Sequence, residues 1–110
     1  MYELYEVRMY SRYTIDYYLV RALNISSVQD WALVELYNFL EESEEDVFQE
    51  YRESGEDMEG IEFYESAVYQ RYVDEATYEI KKIDEEEYVE YIKECDRPIR
   101  TLDVSGKEIS

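Results

Sequence analysis

The sequence has no histidine, a single cysteine (Cys95) and few basic residues: 110 residues carry 11 Lys plus Arg against 29 Asp plus Glu, a formal net charge of −18. One cysteine cannot close an internal disulfide, and a chain without histidine lacks the usual ligands of zinc sites. Cys95 also has no histidine to activate it as a nucleophile. We therefore expect no metal, no cofactor and no thiol catalysis, and a reducing cytoplasm as the compartment.

The shortage of basic residues also excludes partners. Nucleic-acid affinity comes from Lys and Arg that displace counter-ions from phosphates, and anionic membranes attract the same residues, so we expect neither nucleic acid nor membrane to bind directly. Residues 1–6 lack the basic and apolar regions of a secretory signal, and no apolar run approaches the ~20 residues that span a bilayer. The charge favours a basic partner.

Glycine and proline are scarce, with three and one residues, which leaves little material for the tight turns of an all-β protein. Hydrophobic residues make up 45% of the chain and 14 residues are tyrosine, so the chain is expected to fold as one domain over residues 1–110. We predict a small α+β domain with a β-rich N-terminal segment and about three acidic amphipathic helices. An all-α bundle is the alternative.

Hydrophobic spacing predicts helices at residues 28–42, 44–53 and 85–94. Ser27, Ser43 and Asp84 are the expected N-caps, and acids follow the caps of the second and third helices, where the helix dipole favours them. The inward residues expected in the first helix are Val28, Trp31, Ala32, Val34, Leu36 and Leu40.

Residues 2–10 alternate like a strand, and three later stretches remain ambiguous. Residues 13–23 fit a strand or a short helix. Residues 61–83 fit one helical face, yet Tyr78, Ile80 and Lys82 alternate like a strand. Residues 97–110 form either a last edge strand or a loosely ordered end.

The negative charge is concentrated in one part of the chain. Residues 1–40 carry −2, residues 41–96 carry −17 and residues 97–110 carry +1. Acids three or four residues apart project from one side of a helix, so the second and third helices each present a row of carboxylates. The predicted partner-binding residues of the second helix and its approach are Glu42, Glu44, Glu45, Asp46, Glu50, Glu53 and Tyr51. Those of the third are Glu86, Glu87, Glu90, Glu94 and Tyr91.

No catalytic constellation emerges from this pattern. Carboxylates arise in pairs by chance among 29 acids, and the chain has no glycine-rich phosphate loop and no nucleophile motif. Residues 56–60 come nearest to a calcium loop but lack the alternating ligand spacing of the helix-loop-helix motif. We expect a non-enzymatic protein and an ordinary acidic loop.

In length, in charge, in its clustered Glu and Asp with interspersed Tyr, and in its lack of catalytic residues, the chain resembles the small acidic DNA-mimic inhibitors that phages encode against CRISPR and restriction systems. The resemblance concerns residues 41–96 and rests on character rather than on a motif. It implies a strategy without implying a fold, since such inhibitors share no single architecture. The implied partner is a basic DNA- or RNA-binding host protein in the host cytoplasm.

An intracellular interaction protein is the alternative from another class. It would neutralise a basic partner as an antitoxin does, act in phage assembly, or form a homo-oligomer through residues 1–40. Competition with duplex DNA and steep salt dependence separate the DNA mimic from this alternative.

Overall fold

A computed structural model describes residues 1–94 and 99–109, with backbone only for residues 91–94, and shows a four-stranded mixed sheet together with helices. The predicted α+β class is therefore confirmed, and the all-α alternative is wrong. In chain order the elements are β1 (Glu3–Tyr10), β2 (Ile15–Ala22), α1 (Ile25–Glu41), α2 (Glu44–Ser54), a 3-10 turn (Phe63–Glu65), α3 (Ala67–Glu75), β3 (Thr77–Ile83), α4 (Glu85–Glu94) and β4 (Ile99–Thr101).

The sheet has the order β3-β1-β2-β4. β1 pairs antiparallel with β2 and with β3, whereas β4 runs parallel to β2. Residues 13–23 thus supply a strand rather than a helix. Residues 11–14 form the turn of the β1–β2 hairpin, where the Ser11 N–H donates to the Thr14 carbonyl at 2.9 Å.

The first face of the sheet carries the main core. Residues directly opposite each other in the sheet share a face, and successive residues of a strand alternate between faces. Val7 lies between Tyr18 and Ile80 in this register. Helix α1 packs on this face with Val28, Trp31 and further apolar side chains. The buried members of this core are Tyr5, Val7, Met9, Tyr18, Val20, Ala22, Val28, Trp31, Ala32, Phe39 and Leu102.

The second face of the sheet holds a buried carboxylate. Glu6 is 1% exposed and forms an ion pair with Arg8, two residues along the same face. Lys81 is opposite Glu6 in the β1–β3 register, and its Nζ lies 3.1 Å from Glu87, so α4 begins over this face. β3 and β4 form opposite edges of the sheet.

Helix α1 begins three residues before the predicted start. Its N-cap is Asn24, whose side chain accepts the Ser27 N–H at 3.0 Å; Ser27 itself is buried inside the first turn. Val34, predicted to face inward, is 66% exposed and is wrong as a core residue. The predicted stripe was one residue too wide, because positions 32 and 36 already fill the inward face.

The other helix boundaries agree with the sequence prediction. α2 ends at Ser54, with Gly55 in the left-handed conformation, and Asp84 caps α4 by accepting the Glu87 N–H at 2.8 Å. Ser43 occupies the N-cap position of α2, but its side chain makes no capping bond. Cys95 and Pro98 lie outside the described residues.

Residues 61–83 contain both of the alternatives that their pattern allowed. A 3-10 turn and α3 use the helical spacing up to Glu75, and β3 uses the alternation that begins at Thr77. Ser66 marks the start of α3 by accepting the Tyr69 N–H at 3.1 Å.

The segment after residue 98 is an edge strand followed by a tightly held turn. β4 pairs with residues 19–21 of β2, and Leu102 is fully buried. The turn packs on the start of α1: Ser27 Oγ donates to the Val104 carbonyl at 3.0 Å, and Trp31 Nε1 donates to Glu108 at 3.0 Å. Residues 99–109 thus pack against β2 and the start of α1.

The molecule is elongated. Its principal extents are 55 × 30 × 21 Å and its radius of gyration is 17.0 Å, against about 13 Å for a compact domain of this length. The elongation reflects a second hydrophobic cluster, separate from the sheet core and composed of Leu40, Val47, Tyr51, Val68 and Tyr72.

Replacing Gly106 with alanine tests the contact between the turn and α1. Gly106 has φ +84°, and a Cβ at this position would lie 2.8 Å from the Ser27 carbonyl oxygen and 3.2 Å from the Trp31 backbone nitrogen. We expect Gly106→Ala to lower the free energy of unfolding by about 3 kcal/mol, measured by urea denaturation.

Gly60→Ala is the matched control, because Gly60 has φ +82° with no atom within 4 Å of the added Cβ. It should lose only the cost of a left-handed backbone, about 1 kcal/mol. Equal losses in the two variants would show that the turn does not hold α1.

Candidate functional site

Most of the net charge lies on the segment that encloses the second hydrophobic cluster. We call residues 40–76, which comprise the end of α1, α2, the following loop, the 3-10 turn and α3, the acidic helical unit. It holds 14 acids and 2 arginines, a net charge of −12 out of −18. The sequence located an excess of −17 in residues 41–96, and the structure assigns the larger share of it to this one unit.

Aromatic rings form the rigid interior of the acidic helical unit. Phe63 lies at its centre, with ring centroids 5.3 Å from Phe48, 5.4 Å from Tyr51 and 5.1 Å from Tyr69. Tyr72 is 1% exposed and donates its hydroxyl to the Leu40 carbonyl at 2.7 Å, which joins α3 to the end of α1. The carboxylates on the surface are thus held on a packed interior.

Tyrosine hydroxyls fix two of the carboxylates. Tyr64 donates to Glu44 at 2.6 Å, and Tyr13 of the β1–β2 turn donates to Glu50. A hydroxyl restrains a carboxylate without cancelling its charge, whereas a cation cancels part of it. Glu50 has both kinds of partner, since Arg12 also lies 2.9 Å from it.

The same carboxylates change the acidity of the tyrosines. The hydrogen bond to Glu44 and the charge of that group raise the pKa of Tyr64. Burial, followed by the hydrogen bond to Glu50, raises the pKa of Tyr13 to about 12. Both hydroxyls therefore remain donors over the whole physiological pH range.

One acid of the loop has a structural role. Glu56 accepts the Ala67 N–H at 3.0 Å and so satisfies a free donor in the first turn of α3. The residues predicted to form an acidic surface loop thus also cap a helix. Among the described residues, no three carboxylate or thiol side chains come together in a way that would hold a metal ion.

The predicted row on α2 is largely a surface feature. Glu42, Glu45, Asp46 and Glu53 are exposed, and Glu44 and Glu50 are half-buried beside their tyrosine partners. Tyr51 is different: it is 7% exposed and donates its hydroxyl to the Ile61 carbonyl. Tyr51 is a core residue and offers almost no surface to a partner.

The predicted row on α4 is less exposed than the row on α2, and it lies outside the acidic helical unit. Glu86 and Glu90 are exposed, but Glu87 is half-buried and pairs with Lys81. Tyr91 and Glu94 lie within α4, but the structure describes only their backbone.

The two rows are held at opposite ends of the sheet. α2 is attached to the hairpin turn through Arg12 and Tyr13, whereas α4 follows Ile83, which pairs with Leu4 at the other end of β1. Six residues of extended strand separate these anchor points, a distance of about 20 Å. The two rows therefore start from opposite ends of β1.

Sequence reasoning missed the role of Tyr13 and one apolar surface. Tyr13 lies in the hairpin turn and has no periodic signal, whereas Tyr64 fits the helical spacing of residues 61–83 and lies instead in the 3-10 turn. On α1, Leu33, Val34 and Tyr37 are 51%, 66% and 70% exposed and form one outward apolar stripe. A strict period of 3.6 residues would have placed positions 33 and 37 opposite Trp31.

No protein-family model, curated protein or solved structure matches this chain. Among the described residues, no helix has the length and apolar character needed to cross a bilayer.

Replacing Tyr13 with phenylalanine tests its coupling to Glu50. The pKa of Tyr13 is about 12 in the folded state and its reference value is 10.0. The neutral tyrosine therefore contributes stability in full below about pH 10, and this contribution is lost as the pH rises toward 12. We expect Tyr13→Phe to be less stable than the wild type at neutral pH, and the difference to shrink in alkali.

Urea denaturation at a series of pH values measures that difference. Glu50→Gln is the companion variant, and it should move the pKa of Tyr13 back toward its ordinary value, as followed by the NMR shift of its Cζ. A stability difference between wild type and Tyr13→Phe that stays constant up to pH 12 would contradict the coupling.

Proposed function

We propose that this chain is a non-enzymatic inhibitor that mimics the charge of DNA and blocks the nucleic-acid-binding surface of a host defence nuclease, such as a CRISPR-Cas effector or a restriction enzyme. The acidic helical unit carries the proposal, because it concentrates a net charge of −12 on 37 residues. Solubility requires far less charge, and the excess destabilises the compact state.

The dimensions of the molecule support this proposal. Averaged over a long axis of 55 Å, 18 net charges give about one charge per 3 Å, roughly half the density of duplex DNA, which has one per ~1.7 Å; 12 of the 18 lie on the acidic helical unit. The same 55 Å corresponds to about 16 base pairs at 3.4 Å per step. A groove that accommodates a duplex would meet a body of comparable length and the same sign of charge.

Restraint of the carboxylates supports it further. Glu44 is fixed by Tyr64 and still carries its charge, so a basic partner would meet a surface that is already ordered. Ordering before binding lowers the entropic cost of association. Phe48 and Tyr64 are 42% and 60% exposed beside these acids and add the aromatic contact area that protein interfaces favour.

A competition experiment tests the proposal. Purified CRISPR effector and restriction enzyme are each mixed with labelled duplex DNA, and the chain is titrated in while anisotropy and cleavage are followed. We expect displacement of DNA from at least one nuclease, weakened about tenfold between 50 and 200 mM salt because the contacts are electrostatic. Displacement that does not depend on salt would contradict charge mimicry, as would simultaneous binding of chain and DNA.

Two sets of charge-neutral variants locate the contact. Glu45→Gln/Asp46→Asn/Glu53→Gln removes three exposed charges from α2 while sparing Glu44 and Glu50, which have structural partners. Glu85→Gln/Glu86→Gln/Glu90→Gln removes three exposed charges from α4 and is the matched control for net charge. We expect the α2 set to raise the inhibitory concentration about tenfold and the α4 set to have a smaller effect. Equal effects would show that only net charge matters.

An interaction protein of another kind is favoured by one observation, the outward apolar stripe of Leu33, Val34 and Tyr37 on α1. Such a stripe on a helix fits into the apolar groove of a protein partner and contributes nothing to mimicry of DNA. Val34→Ser/Tyr37→Ser should leave DNA displacement unchanged if the chain is a charge mimic. Loss of displacement in this variant would favour the interaction protein.

A further inference from the structure

Strand β3 forms an open edge of the sheet. It pairs only with β1 among the described strands, so one side of its seven residues offers backbone donors and acceptors to another strand. The opposite edge differs, because β4 covers three residues of β2 there. An edge of this length is the usual template for addition of a strand from a second chain.

The edge has a local charge opposite to that of the molecule. β3 contains Glu79, Lys81 and Lys82 and has a net charge of +1. The acidic helical unit before it carries −12, and residues 84–90 after it carry −5. A second copy of a chain with −18 would meet the least repulsion along this strand.

Charges on the second face of the sheet already alternate across strands. Glu6 is opposite Lys81 and Arg8 is opposite Glu79 in the β1–β3 register. Opposite charges directly across an antiparallel pair stabilise it, and like charges destabilise it. An added strand extends the pattern if it presents an acid to Lys81 and a base to Glu79.

We propose that β3 pairs antiparallel with β3 of a second copy of the chain, with Ile80 opposite Ile80 across a two-fold axis. Glu79 of each copy then lies opposite Lys81 of the other. Across the four central strands, each row then consists of Glu6 and Lys81 of one copy followed by Glu79 and Arg8 of the other. The sign of the charge alternates along the whole row. The two sheets become one sheet of eight strands.

The charges favour this register over the two registers shifted by one residue. A shift that centres the pair on Lys81 places Lys81 opposite itself, and a shift that centres it on Glu79 places Glu79 opposite itself. Only the Ile80-centred pairing joins opposite charges on the second face. On the first face it brings together the two half-buried Ile80 side chains and sets Tyr78 beside Lys82, which covers apolar surface that one copy leaves partly exposed.

The proposal goes beyond the inhibitor role, because it concerns the basic edge and makes no use of the acidic helical unit. The two functions also respond oppositely to salt. Salt should strengthen self-pairing, since it screens the repulsion between two copies that each carry −18. Salt weakens binding to a basic nuclease, so failure of one proposal is distinguishable from failure of the other.

Register-specific cross-linking tests the pairing in a Cys95→Ser background. Residues directly opposite in an antiparallel pair have Cα atoms about 4.5–5.5 Å apart, within reach of a disulfide. Equal amounts of Glu79→Cys and Lys81→Cys chains are mixed and oxidised mildly. We expect a cross-linked dimer in the mixture and at least about tenfold less in either variant alone, because identical positions lie about 8 Å apart.

A mixture of Glu65→Cys and Lys81→Cys chains is the control for random collision, since Glu65 is exposed but lies in the acidic helical unit. Cross-linking at the same yield in every mixture would overturn the proposal.

Sedimentation equilibrium provides the second test on the wild-type chain. We expect the mass to rise from one copy toward two with protein concentration, and more readily as salt increases. Lys81→Glu places Glu79 opposite an acid twice and should abolish the dimer, whereas Lys82→Glu makes the same change in net charge, faces Tyr78 and should retain it. Circular dichroism of both variants checks that each is folded. A wild-type mass that stays at one copy under all these conditions would overturn the proposal.

Discussion

The hydrogen bond from a tyrosine hydroxyl to a carboxylate is the interaction on which the acidic helical unit depends. Tyr64 fixes Glu44, and Tyr13 reaches from the sheet to fix Glu50. The same pairing recurs within the sheet, where Tyr10 donates to Glu79 and Tyr5 donates to Glu3. A chain with so few cations cannot hold its acids by ion pairs alone. Tyrosine supplies an apolar ring for the interior and a neutral donor for the surface, so one residue type serves both the packing and the charge.

The sequence was most informative where local rules decide the structure. The helices at α2 and α4 could be predicted because caps, acids in the first turn and apolar spacing agree there. Residues 61–83 could not be resolved, since their apolar positions satisfy the helical and the strand period together, and pairing with β1 decides for β3. The N-cap of α1 was misplaced because Ser26 and Ser27 offer a plausible cap two and three residues after Asn24.

The candidate site shows the same division. Exposure of Glu45, Asp46 and Glu53 follows from their helical positions and could be predicted. Burial of Tyr51 depends on Ile61 and Phe63, which lie ten and twelve residues later, beyond the end of α2, and no periodicity reports such a contact. The separation of the α2 and α4 rows depends on the strand order of the sheet. Two rows that look equivalent in the sequence therefore differ in surroundings, one on an aromatic cluster and the other beside Lys81 of β3.

The order of the strands also determines when each part of the chain can fold. β3 pairs with β1 across 67 to 79 residues, and Leu102 completes a core that begins at Tyr5. The hydrophobic cluster of the acidic helical unit, in contrast, is built from residues within 40–76, and the unit is attached to the hairpin turn. Local contacts form quickly and distant ones slowly. During synthesis on a ribosome, the acidic helical unit is therefore complete while β1 and β2 still lack a neighbour on either side, and the sheet closes only after its last strand has emerged.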